Sequence, residues 1–103
     1  MIARVWRAVA TTQGAADYTK HFQHSVLPEL RSLEGFRDAY LLNRKDNGDG
    51  SVQIQVISLW ESLDAIRAFT GDGRELTTAV VEPEAQAVLA SFDETVTHHE
   101  VVL

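Results

Sequence analysis

The chain has no cysteine, only two prolines, and nine basic residues against fifteen acidic ones in 103 positions. Without cysteine there is no disulfide framework, no thiolate nucleophile and no sulfur-based zinc site, which suits a cytoplasmic protein. The net charge of −6 and the scatter of the basic residues exclude nucleic acid as a partner, because phosphate binding needs clustered Lys and Arg that release counterions. No apolar run approaches the ~20 residues that span a bilayer, and Met1-Ile2-Ala3-Arg4 lacks the apolar region of a secretory signal, so no membrane partner is expected. The length suits one domain over 1–103, and so small a domain gains by burying further surface in an assembly.

What the sequence does contain is a run of clear periodicities. Ile2, Arg4, Trp6 and Ala8 point to one side of an opening strand, and Ala3, Val5, Arg7 and Val9 to the other. Both sides are mostly apolar, the pattern of a strand covered on both faces. Gln13-Gly14 closes that strand region. Tyr18, Phe22, Val26, Leu30 and Leu33 then recur at helical spacing, with Pro28 expected to kink or interrupt the helix near Ser25 to Val26. Glu34-Gly35-Phe36 reads as a helix stop.

Two strands follow, joined by a turn at Asn47-Gly48-Asp49-Gly50. Any short register of that hairpin puts Arg37, Ala39, Leu41 and Asn43 on one face with Val52, Ile54, Val56, Ser58 and Trp60. Asp38, Tyr40 and Leu42 then share the other face with Gln53, Gln55, Ile57 and Leu59. Ser62 is an N-cap, with Leu63, Ile66 and Phe69 as the buried stripe before Gly71. Arg74 to Val81 and Pro83 to Phe92 read as two short helical pieces, and a last strand runs from Thr95 to Leu103. The order βαββαβ predicts an α+β, ferredoxin-like fold with a four-stranded antiparallel sheet and helices on one face. The other face is bare, so a homodimer packed sheet against sheet is expected.

Candidate chemistry is thinly spread. His98 and His99 are consecutive on a strand, point to opposite faces, and so supply at most one general base or proton shuttle; the other use for them is at a sheet edge or dimer seam. His21 and His24, three apart on a helix, lack the carboxylate pattern of a metal site, and Asp46 to Gly50 fails as a calcium loop because the twelfth position is Ile57, so no metal is expected. Trp6, Trp60 and Tyr40 suit either an aromatic-lined cavity for a flat ligand or core packing. Arg4, Arg7 and Arg37 lie on strands where an unpaired cation is costly. They either bridge to Asp38, Glu61 or Glu100, or one of them holds a phenolate or enolate.

Three stretches together, Ile2 to Arg7, Leu59-Trp60-Glu61-Ser62 through Phe69, and Thr95 to Val102, resemble the antibiotic biosynthesis monooxygenase-like family of dimeric α+β barrels. The resemblance implies a homodimer with a ligand cavity in each subunit between helices and sheet. It also implies a monooxygenase without bound cofactor, acting on a small electron-rich aromatic such as a hydroquinone or anthrone. On that reading His98, His99 and Arg7 are the catalytic candidates, and Trp6, Arg4, Tyr40, Trp60 and Arg37 contact the substrate. A non-catalytic dimeric ligand-binding protein and an isomerase or lyase pairing His98 or His99 with Asp38 are the alternatives. Haem-degrading relatives use an Asn, a Trp and a His at positions that here hold Arg7 or Trp6, Phe69 and Ala79, so haem degradation is not expected.

Overall fold

The structure is a computed structural model that describes residues 1–103. β1 (Ile2–Ala10) leads into α1 (Thr12–His21), a π-helical turn (Phe22–Val26) and α2 (Leu27–Arg31). β2 (Phe36–Arg44) and β3 (Val52–Trp60) form a hairpin, followed by α3 (Leu63–Thr70), α4 (Pro83–Gln86), β4 (Ser91–Phe92) and β5 (Thr97–Glu100). The sheet is antiparallel throughout, ordered β2-β3-β1, with β4 and β5 both on the free edge of β1. It therefore has the four lanes expected of the split βαβ arrangement, the last of them divided between two short strands.

Local chemistry explains the boundaries. Thr11 caps α1 by accepting from Gly14 N–H, so the helix starts earlier than Gln13-Gly14 suggested, and Gly14 belongs to its first turn. Pro28 sits in the first turn of α2, where its missing donor costs nothing, and the chain upstream adapts by widening: Leu27 N–H bonds to Phe22 O, five residues back. The interruption therefore falls where Pro28 predicted it. Helix α2 stops at Arg31 with Ser32 as its C-cap, earlier than a Gly35 cap predicts, and Gly35, at φ +87°, instead turns the chain into β2.

The hairpin keeps the expected face pairing: Ala39 opposes Ser58, Leu41 opposes Val56 and Asn43 opposes Ile54. Its connection is longer than a two-residue turn, running from residue 45 to 51, with Asp49 accepting from both the N–H and the hydroxyl of Ser51. Ser62 caps α3 by accepting from Ala65 N–H, but Leu63 is exposed, and the buried side of α3 is Ile66 and Thr70.

The stretch after α3 departs from the helical reading. Arg74 to Val81 is irregular: Thr78 bridges to Thr95, and Val96 N–H bonds to Thr77 O, so this segment behaves as a strap along the last strand lane. Helix α4 stops at Gln86, and Ala90 N–H then bonds to Val9 O, capturing the chain on the edge of β1 as β4. The closing strand is correspondingly short, since Thr95 and Val96 bond to the strap.

The core lies between helices and sheet, built on Trp6, Ala8, Ile54, Trp60, Ile66, Tyr18, Phe22 and Leu30. On the opposite sheet face Val5, Val9, Ile57 and Leu59 are only half-buried, and Tyr40 and Leu42 are about half exposed, so that apolar surface is left uncovered. No helix is long and apolar enough to cross a membrane.

Candidate functional site

The pairing Arg4↔Ser58 places both side chains on the helix-covered face of the sheet, and both are buried, Arg4 to 4% exposure. The guanidinium has no carboxylate partner; the two ion pairs of the chain join Arg37 to Glu61 and Arg44 to Asp46. Instead Arg4 Nη1 donates to Leu76 O (2.6 Å) and Nη2 to Thr78 O (2.9 Å), both on the strap, and its carbon lies 5.9 Å from the centroid of the Phe69 ring. Burial pushes its pKa down to about 10, which still leaves it cationic at neutral pH.

His98 Nε2 lies 3.0 Å from Arg4 Nη1. A guanidinium only donates, so this nitrogen accepts, which assigns the imidazole proton to Nδ1 and makes the ring neutral. Burial, then the charge of Arg4 and that of His99, hold the His98 pKa below its ordinary value.

Arg4 forms the polar end of a cavity between sheet and helices, about 50 Å³ in volume and otherwise walled by Trp6, Tyr18, Phe22, Val26, Leu30, Val56, Ser58, Phe69, Val80 and Val96. The walls are set by hydrogen bonds as well as packing. Trp6 Nε1 donates to Asp93 O (2.8 Å), and its ring meets Tyr18 at a centroid distance of 5.8 Å. Burial, reinforced by Glu82, raises the Tyr18 pKa and keeps the phenol protonated. Behind this wall Trp60, fully buried, donates from Nε1 to Ser58 Oγ (2.9 Å) and packs edge-on against Phe36.

Of the residues predicted from sequence, Arg4 and Trp6 line the cavity, His98 stands against Arg4, and Trp60 supports Ser58 from the core. Arg7, Tyr40 and His99 lie on the other face of the sheet, His99 bonding to Thr97 Oγ1 (2.8 Å). Arg37 sits at the irregular start of β2 and holds Glu61 at the surface (2.6 Å). Asp38 shares a face with His99 but lies three strand lanes away, roughly 14 Å, so no acid–base pair of that kind forms within one chain. No three His, Asp or Glu side chains gather as a metal set. Tyr18, Phe22, Phe69 and Ser58 complete the cavity and were not singled out as site residues. The sequence presents the first three as helix stripe, and its signal for Ser58 is a lone hydroxyl in the apolar register of β3.

No protein-family model and no curated protein sequence matches the chain. Solved structures do. A candidate antibiotic biosynthesis monooxygenase from Bacillus cereus superposes with a TM-score of 0.66 at 17% identity, over 99% of this chain and 95% of that one. SnoaB, a cofactor-independent oxygenase from Streptomyces nogalater, gives 0.61 at 19% identity, over 99% and 94%. A monooxygenase from the gene ActVA-Orf6 of Streptomyces coelicolor, in complex with nanaomycin D, gives 0.54 at 21%, over 99% and 89%. The chain thus has the ferredoxin-like α+β fold of antibiotic biosynthesis monooxygenases across essentially its whole length. At these identities the likeness is one of fold, and a fold alone does not carry a reaction.

Proposed function

We propose that this protein is a homodimeric monooxygenase working without a bound cofactor on a small electron-rich aromatic of the hydroquinone or anthrone type, bound as its phenolate or enolate between helices and sheet. The observation that carries this reading is Arg4: a buried guanidinium with no carboxylate partner, at the end of a cavity whose remaining walls are almost all apolar. Such a cation stabilises an anion far better than it would in water. The similarity in fold to SnoaB and the ActVA-Orf6 product supports oxygen as the second reactant.

The chemistry balances without an external reductant. The bound anion passes one electron to O₂, the radical pair joins to form a carbon–oxygen bond, and the peroxide collapses to a carbonyl. With an anthrone, one oxygen atom stays on carbon, and the other leaves as water with the two hydrogens of the original CH₂. The protein contributes charge stabilisation from Arg4, held in place by neutral His98, and a wall of Val, Leu and aromatic side chains that excludes water from the intermediates. The cavity at about 50 Å³ is smaller than a ring system, so its walls move apart when a substrate binds.

Oxygen uptake with anthrone, followed alongside anthraquinone formation, tests the reading. The wild type is expected to exceed autoxidation at least about tenfold, and a folded Arg4→Met variant to lose most of that excess. A wild-type rate equal to autoxidation, or full activity in Arg4→Met, would refute it.

A further inference from the structure

We infer that Ser58 and Arg4 together form a two-donor clamp for a single anionic oxygen of the ligand, which makes Ser58 the residue that selects hydroxylated aromatics over those lacking the oxygen. The two residues are direct cross-strand neighbours, their side chains line the same cavity, and they are two of only three buried polar or charged residues in the molecule. The third, Thr70, lies outside this cavity.

The hydroxyl of Ser58 is half-used. Its oxygen accepts from Trp60 Nε1 at 2.9 Å, but the hydroxyl donates no hydrogen bond within the protein. A buried hydroxyl that leaves its donor idle is unusual, because buried polar groups normally spend their hydrogen-bonding capacity. The bond received from the indole also polarises the O–H and makes it a better donor. Trp60 is fully buried and packed against Phe36 and Phe69, so the oxygen it holds is fixed, and rotation of the hydroxyl about Cβ–Oγ is what remains free. The guanidinium of Arg4, lining the same cavity, supplies the charge. An oxygen carrying a full or developing negative charge meets both donors; a hydrocarbon or halogen at the same place leaves both unpaired, and a site of that kind rejects the analogue strongly.

The inference rests on the ligand pocket proposed above, but its test reads binding and not turnover, so the two fail separately. 4-Nitrophenolate, whose ionised form absorbs in the visible, and nitrobenzene, which lacks the oxygen, are titrated against wild type, Ser58→Ala, Ser58→Thr and Ser58→Cys, with far-UV circular dichroism confirming the fold of each. Wild type is expected to bind 4-nitrophenolate in preference to nitrobenzene. Ser58→Ala weakens 4-nitrophenolate about tenfold and leaves nitrobenzene unchanged, and Ser58→Thr restores binding. If the alanine variant fails to fold because the Trp60 indole is stranded, Ser58→Cys, a weak donor of similar size, is expected to give the same selective loss. Equal weakening of both ligands, unchanged 4-nitrophenolate binding in a folded alanine or cysteine variant, or a wild type that binds neither ligand overturns the clamp. Tight, Ser58-dependent binding without oxygen consumption would leave the clamp standing and refute the oxygenase reading.

Discussion

At the scale of single residues, the site is governed by one cation and what it touches. The cost of a charge on an apolar strand marked Arg4 from the sequence, but its partners were not legible: carboxylates at Asp38, Glu61 or Glu100 were the natural expectation, and the structure supplies the carbonyls of Leu76 and Thr78 instead. Those carbonyls are free only because the strap is not helical, which periodicity did not reveal. His98 extends the same arrangement and makes it pH-sensitive. Its folded pKa lies below the ordinary 6.5, from burial first and then from Arg4 and His99, so the folded protein takes up this proton less readily than the unfolded chain. Stability from this group is therefore complete above pH 6.5 and is lost as the pH falls from there through the lowered value. Urea unfolding at stepped pH is expected to show the midpoint dropping over that window, and His98→Asn to flatten the drop. A variant that loses stability with acid as steeply as wild type would remove His98 as the cause.

At the scale of elements, the outcome follows how local each signal was. The stripe from Tyr18 to Leu30, the Pro28 interruption, the cap at Ser62 and the face pairing of the hairpin are set by neighbours in sequence, and each appears where the sequence puts it. The span from Arg74 to Asp93 is set largely by distant partners: Thr78 answers to Thr95, Ala90 to Val9 and Asp93 to Arg7, bonds that no short window contains. Gly14 shows the same limit. The sequence pattern makes it a strand terminator, but its role is close approach, because a Cβ there would collide with the backbone carbonyl of Val88. Alanine is normally better than glycine in a helix by about 1 kcal/mol. Here the clash with backbone is expected to win, and Gly14→Ala to lower stability by about 1–2 kcal/mol in chemical denaturation, in line with overpacked sites. A stabilised alanine variant would show that α1 and the loop at Val88 separate at little cost.

At the scale of the whole molecule, the surface is larger than size scaling gives for a monomer of this mass. The accessible area is 6337 Å², whereas a monomer of 11.4 kDa is expected to expose about 5,800 Å² by size scaling. On the face that β1, β2 and β3 turn away from the helices, Val5, Val9, Tyr40, Leu42, Ile57 and Leu59 are left half-buried or exposed, a patch of the kind that marks an interface. A stable dimer hides about 800 Å² per partner, and a face of four lanes, three of them crossed by nine-residue strands, is of that order. In the homodimer proposed above, two such faces, antiparallel and apolar at the centre, would close against each other through one two-fold axis. Ile57 lies at the middle of the patch, opposite Val5 on one side and Tyr40 on the other. Sedimentation equilibrium at micromolar concentration is expected to return about twice 11.4 kDa for the wild type. Ile57→Lys is expected to return a folded species of the monomer mass, because its side chain faces away from the core and a charge there opposes only the partner. A wild type that stays monomeric, soluble and folded at that concentration would mean that the uncovered face serves another purpose. The pocket on the helix side would then stand without the dimer.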